Sequence, residues 1–123
     1  MIAEIDIQRV MGQIEVKAAK ETKRISTDLF KKIVTRNPVD TGFSSKNWNA
    51  TLGKADTSVR GDRDKLDIPG APQSDLDQIK DMSKTIHLAN GVDYIRDLEN
   101  GSSKQAPGGF VALSVAEVVS HES

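Results

Sequence analysis

The sequence predicts an α+β fold: a long N-terminal helix packed on a small, mainly antiparallel sheet, with short additional helices. Three observations predict it. Apolar residues recur at helical spacing through the first 36 positions. Two later stretches, around Trp48 and Ile86, alternate with the period of a strand. The remaining apolar residues fall in short runs, such as Val92, Ile95 and Leu98, that suit single helical turns. A chain of 123 residues favours one domain, 1–123, with one core.

In the first element, Ile7, Met11, Ile14, Ala18, Thr22, Ile25, Leu29 and Ile33 mark one helix face, with Lys17, Lys20, Lys23, Lys31 and Lys32 largely off it. Asn37-Pro38 ends the run, because the residue before a proline is pushed out of the helical region. A helix over 4–36 would be roughly 50 Å long, against a domain diameter of roughly 35 Å. It must bend or overhang, and an overhang needs another chain to cover its apolar stripe. The stretch PVDTGFSSKNW then reads as a turn, with Asp40 or Thr41 capping backbone N–H groups and Gly42 permitting the reversal. Trp48, Ala50 and Leu52 alternate with Asn47, Asn49 and Thr51, which predicts a half-buried strand anchored by the only tryptophan.

Residues 53–73 are polar, aperiodic and broken by Gly and Pro, so they are expected to be a functional or mobile loop. Ser74 opens a predicted short helix carrying Leu76, Ile79 and Met82. TIHLAN (85–90) reads as a strand with Ile86 and Leu88 inward and His87 outward. Asn90-Gly91 resembles a hairpin turn, but the spacing after it and Gly101 at a C-cap position predict a short helix capped by Asp93. Pro107 lies near the start of a last helix, with Phe110, Leu113 and either Ala116 or Val118 inward. Its β-branched residues leave a strand as the alternative.

Composition narrows the function. The absence of cysteine excludes disulfides and thiolate metal sites, and two distant histidines make no metal cluster. Asp62, Asp64 and Asp67 lack the glycine and closing glutamate of a calcium loop. Phosphate-binding glycine loops are missing, and Asp97 and Glu99 lie two apart, where helical carboxylates diverge. No catalytic, cofactor-binding or metal-binding residue is therefore assigned, and the chain is expected not to be an enzyme. The N-terminus lacks a signal-peptide pattern and no run spans a bilayer, so a soluble product of the cytoplasm with no membrane partner is expected. Net charge is −1, yet residues 1–36 carry a balance of +3 and the rest −4. Such asymmetry suits head-to-tail contact between copies, a solvated helix face, or a basic helix that associates with DNA.

Two blocks bear a family resemblance. PVDTGFSSKNW, followed farther on by TIHLANGVDYIRDLENGSSKQAPGGFVALSVAE, resembles the neck and tail-completion proteins of long-tailed bacteriophages, also called head-to-tail joining or minor tail proteins. The matching positions are Pro38, Val39, Asp40, Thr41, Gly42, Trp48, Tyr94, Leu98, Glu99, Gly101, Ser103, Gln105, Ala106, Pro107, Gly108 and Val111. The family's proline before the tyrosine is Asp93 here, the alanine after it is Ile95, and its methionine is Phe110.

The resemblance implies a structural protein of the virion neck, made in the host bacterial cytoplasm. It would form a hexameric or dodecameric ring that joins the portal and head-completion (adaptor) proteins to the tail terminator, tail tube or sheath. Packaged DNA would pass through the lumen without sequence-specific recognition. A tail terminator ring capping the tail tube is the alternative. The family carries no catalytic residues; its motif positions Asp40, Thr41, Gly42, Trp48, Tyr94, Leu98, Glu99, Gly101, Ser103, Gln105 and Pro107 would be structural or interface residues.

Within the second block, 94–111, Glu99 poses a question. An acidic residue at a helix C-terminus is unfavourable by a few tenths to about 1 kcal/mol. It is explained if the carboxylate turns into the 101–107 loop and accepts N–H bonds there, with Tyr94 packed beneath. Such a loop serves equally as a subunit interface or as a local staple.

Overall fold

The structure is a computed structural model that describes residues 3–6, 19–37, 42–80, 84–100 and 109–122. Strands β1 (Ala3–Asp6), β2 (Trp48–Leu52), β3 (Gln73–Ser74) and β4 (Ile86–Asn90) form one sheet in the order β1-β4-β2-β3. Both β1 and β2 run antiparallel to β4, and only the two-residue β3 is parallel to its neighbour β2. Helices α1 (Ala19–Arg36), α2 (Ile95–Glu99) and α3 (Phe110–Glu122) complete the α+β fold.

The long first helix needs correction at its start. Residues 3–6 are a strand, paired in register from Ala3↔Asn90 to Asp6↔His87. The helically spaced apolar residues begin only at Ile7, beyond this strand. Ala-Glu-Ile-Asp also alternates with period two, and β4 offers a second edge whose backbone groups need partners. Residues 7–18, and with them Ile7, Met11, Ile14 and Ala18, lie outside the described residues. From residue 19 the expectation holds, with Thr22, Ile25, Leu29 and Ile33 all buried. The described span of α1, 18 residues, is about 27 Å long; the expected bend or overhang falls on residues 7–18, outside the described residues.

Register defines two faces of the sheet. Trp48↔Asn90, Ala50↔Leu88 and Leu52↔Ile86 share one face, because directly paired residues point the same way. Against it pack Ile25, Leu29 and Ile33 of α1 and Phe110 and Val118 of α3, forming the apolar core. Trp48 is fully buried, and its indole meets the Phe110 ring edge-on at 6.5 Å. The last segment is thus a helix rather than a strand. Its inward residues are Phe110, Ser114 and Val118, whereas Leu113 is 55% exposed, contrary to expectation. A step of four from Phe110 selects Ser114, whose hydroxyl donates back to the Phe110 carbonyl at 2.7 Å.

The opposite face carries Asn49 and Thr51 and is covered by residues 54–60. The Asn49 amide donates to the Asp56 and Ser58 carbonyls at 2.9 and 3.3 Å, and the Thr51 hydroxyl donates to that of Lys54 at 2.6 Å. Asn49 is therefore fully buried, so β2 is buried on both faces at this point rather than half-buried. The backbone approach is close: a Cβ on Gly91 would lie 1.9 Å from the Thr57 carbonyl oxygen.

Two smaller elements also differ from expectation. The predicted helix after Ser74 is only a 3-10 turn, Leu76–Gln78, because Gln73–Ser74 pairs with Asn49 and Ala50 of β2. The N-cap position is Asp75 rather than Ser74, though the Ser74 hydroxyl accepts the Leu76 N–H at 3.3 Å, and Leu76 is buried; Met82 lies outside the described residues. Helix α2 begins after Tyr94, not after a capping Asp93, and the preceding bend is held by Val92 N–H donating to the Asn90 side chain at 3.0 Å.

Candidate functional site

The two sequence blocks meet around Trp48. Its indole N–H donates to the Asn37 carboxamide oxygen at 2.9 Å, and the Asn37 amide donates to the Ser44 hydroxyl at 2.8 Å. The Asn90 amide donates to the Ser44 carbonyl, also at 2.8 Å. All four residues are buried, so each bond is made where no water substitutes for it. The network ties the end of α1, the turn after it and the end of β4 to one tryptophan. Gly42 sits in that turn with φ 87°, its carbonyl accepting the Lys46 N–H and the Ser45 hydroxyl at 3.1 and 3.2 Å.

Glu99 has a definite partner. Its carboxylate accepts the Val111 and Ala112 N–H groups at 2.9 and 3.0 Å, and its carbonyl accepts that of Gly109. Thus the last residue of α2 caps the first turn of α3, supplying a negative charge where the helix dipole favours one. These described partners lie at the start of α3; the expected bonds into the 101–107 loop fall outside the described residues. Leu98 packs partly buried against the core. A second fastening lies farther along α3: Glu117 pairs with Lys32, at 3.3 Å, and with Arg36 of α1. Hydrogen bonds from Arg36 and Lys32 hold the Glu117 carboxyl below the usual glutamate range.

Tyr94 faces a different neighbour. The Arg63 guanidinium lies 5.1 Å from its ring centroid, a cation–π contact, and 3.8 Å from the Asp93 carboxylate. This joins the second block to the 53–73 loop. Beside it is an open cleft of about 280 Å³, lined by Phe43, Val59, Val92 and Gly91 with Asp62, Arg63, Asp64 and Asp93. Asp40, Thr41, Gly101, Ser103, Gln105 and Pro107 lie outside the described residues.

The loop layer holds the residues that sequence reasoning missed. Arg60 turns inward: its guanidinium donates to the Asn49 side chain and to the Lys46 carbonyl at 2.6 Å, while its N–H donates to Asn47 at 2.7 Å. Asn47 in turn donates to the Phe43 and Arg60 carbonyls at 2.9 and 3.1 Å. Asp56 accepts the Ser58 hydroxyl at 2.6 Å, and that bond, with the Ser58 N–H, lowers its pKa. The signal for this layer was two asparagines at i and i+2, one just before β2 and one in it, a pattern suited to satisfying carbonyls of an overlying chain.

Among the described residues, no group of three His, Cys, Asp or Glu side chains is placed to hold a metal ion. Asp62 instead accepts the Asp64 N–H at 2.9 Å. No helix among them is long and apolar enough to cross a membrane. No protein-family model, curated protein or solved structure matches the chain.

Proposed function

We propose that the chain is a structural neck or tail-completion protein of a long-tailed bacteriophage virion, acting by assembly rather than by catalysis. In this reading it forms a hexameric or dodecameric ring that joins the portal and head-completion proteins to the tail. Packaged DNA passes through the ring, and the protein is made in the host cytoplasm. The observation that carries the reading is the ordered pair of motif blocks, from Pro38 to Trp48 and from Tyr94 to Val111. Their packing supports it. The Trp48 indole meets Phe110 at 6.5 Å, and Glu99 caps the helix that Phe110 begins. The motif positions Trp48, Glu99 and Val111 thus serve one structural unit around Phe110, itself a departure from the motif. Electron microscopy of the purified full-length chain tests the reading: closed rings of six or twelve copies are expected, and isolated subunits at every concentration would overturn it. A tail terminator ring has the same self-association, and imaging with isolated tails distinguishes it by its place at the end of the tube.

One observation favours a second reading, association with DNA. Lys20, Arg24, Thr27, Lys31 and Thr35 are all exposed at spacings of three and four, forming one outward stripe of α1. The stripe suits phosphate contact without base recognition. With Lys20 and Lys31 engaged, the logarithm of duplex affinity would fall against the logarithm of salt with a slope of about −1.8.

A further inference from the structure

We infer that Asn90-Gly91 is a latent modification site, at which opening of the fold converts the Asn90 amide to an acid and thereby blocks refolding. The chemistry belongs to the dipeptide. The Gly91 backbone nitrogen attacks the Asn90 carboxamide carbon. Its proton passes through water to the amide nitrogen, whose bond to that carbon breaks, and ammonia leaves. A five-membered succinimide remains, and one water opens it at either carbonyl to aspartate or isoaspartate. Glycine favours the first step, because no Cβ crowds the attacking nitrogen and its backbone turns freely.

The fold needs each half of the pair for a separate reason. A Cβ on Gly91 would lie 1.9 Å from the Thr57 carbonyl oxygen, so glycine lets residues 54–60 pass the end of β4. The Asn90 carboxamide joins two segments: its amide donates to the Ser44 carbonyl at 2.8 Å, and its oxygen accepts the Val92 N–H at 3.0 Å. An aspartate at the same place has no donor for Ser44. A dipeptide prone to this reaction is thus fixed at a point where the reaction is harmful, and the fold keeps it closed.

Three features close it. Asn90 is fully buried, so water is excluded from the proton transfers and from ring opening. Its carboxamide must turn onto the Gly91 nitrogen, which leaves the Ser44 carbonyl unpaired in the interior. Its backbone pairs on both sides, with Ala3 of β1 and Trp48 of β2, and the ring would reset a torsion that this pairing holds. The Val92 N–H pulls the other way by polarising the attacked carbonyl, but without water the step has no route for its proton. Opening removes all three restraints, so the rate in the folded protein is the intrinsic rate scaled by the open fraction. The product no longer fits. A carboxylate would face the Ser44 carbonyl in a buried site, and isoaspartate adds a backbone atom at the end of β4. Ser44 also accepts from Asn37, the partner of Trp48, so the damage reaches the core. Folded subunits persist, whereas chains left open past the lifetime of the amide are lost irreversibly. The inference is independent of the assembly proposed above.

The test incubates the full-length protein at mildly alkaline pH, folded in buffer and unfolded in guanidinium chloride, and follows acid formation at residue 90 by peptide mass mapping. Asn90 should react at least about a hundredfold more slowly in the folded chain. In guanidinium chloride, Gly91→Ala should slow the reaction at least about tenfold, a comparison that requires no folding. Asn90→Asp, which mimics one product, should lower the thermal midpoint by about 5 °C or more, or abolish the cooperative change in Trp48 fluorescence. Equal rates in buffer and denaturant overturn the closure. A rate in denaturant unchanged by Gly91→Ala overturns the route through the Gly91 nitrogen. An Asn90→Asp protein with the wild-type midpoint overturns the block to refolding.

Discussion

The two faces of the sheet are held by opposite chemistry. On one, Trp48, Ala50, Ile86 and Leu88 meet the apolar stripes of α1 and α3, and burial of hydrocarbon supplies the free energy. On the other, Asn49 and Thr51, with Asn47 just before the strand, satisfy carbonyls of a polar loop. The apolar face tolerates approximate shapes and gains mostly from area. The amide face gains little per bond, because each replaces a bond to water, but losing a partner leaves buried groups unpaired. The first makes the protein fold; the second decides how residues 54–67 are displayed. Single substitutions should therefore have different reach on the two sides.

Trp48→Ala is the largest expected loss, about 3–5 kcal/mol from the cavity and lost burial. It also removes the indole N–H from the Asn37 carboxamide oxygen, and both layers should unfold together in a denaturant titration. Asn49→Ala should cost about 1–3 kcal/mol, because the Asp56 and Ser58 carbonyls lose their donor. Its signature is local: hydrogen exchange should accelerate across the 54–60 loop while the amides of α1 stay protected. Equal acceleration in α1 would break the distinction between the faces.

Glu99→Gln keeps one acceptor for the α3 amides and removes the charge, so about 1 kcal/mol should be lost, with fraying at the start of α3. The smallest effect concerns the link between α1 and α3. Arg36 and Lys32 lower the Glu117 pKa below its ordinary 4.5. A depressed carboxyl contributes stability in full above its unfolded value and loses it as pH falls through the folded value. The thermal midpoint of the wild type should thus fall more steeply below about pH 4.5 than that of Glu117→Gln, and identical profiles would dismiss the pairing.

These contrasts explain which parts were legible in the sequence. Strands β2 and β4 announced themselves by alternation around Trp48 and Leu88, and α1 by the spacing of Ile25, Leu29 and Ile33. Strand β1 was hidden because the helix was expected to begin at about residue 4, ahead of a stripe that opens at Ile7, and only pairing with β4 decides otherwise. Strand β3 is two residues whose sole reason is the neighbouring edge of β2. Leu113 looked inward by apolarity, but the face of α3 is set by Phe110 and by the charged partners of Glu117. At the candidate site, the oddity of Glu99 was visible locally, whereas its partners lie across a loop at Val111 and Ala112. The loop layer was the least legible, since an asparagine reads as solvent-facing until the chain that crosses it is known.

The central claim is that this scaffold serves assembly, and the absolute mass of the full-length protein by light scattering across concentration tests it most directly. The account predicts a mass of six or twelve subunits that persists on dilution until the ring dissociates. A single-subunit mass at every concentration would contradict it.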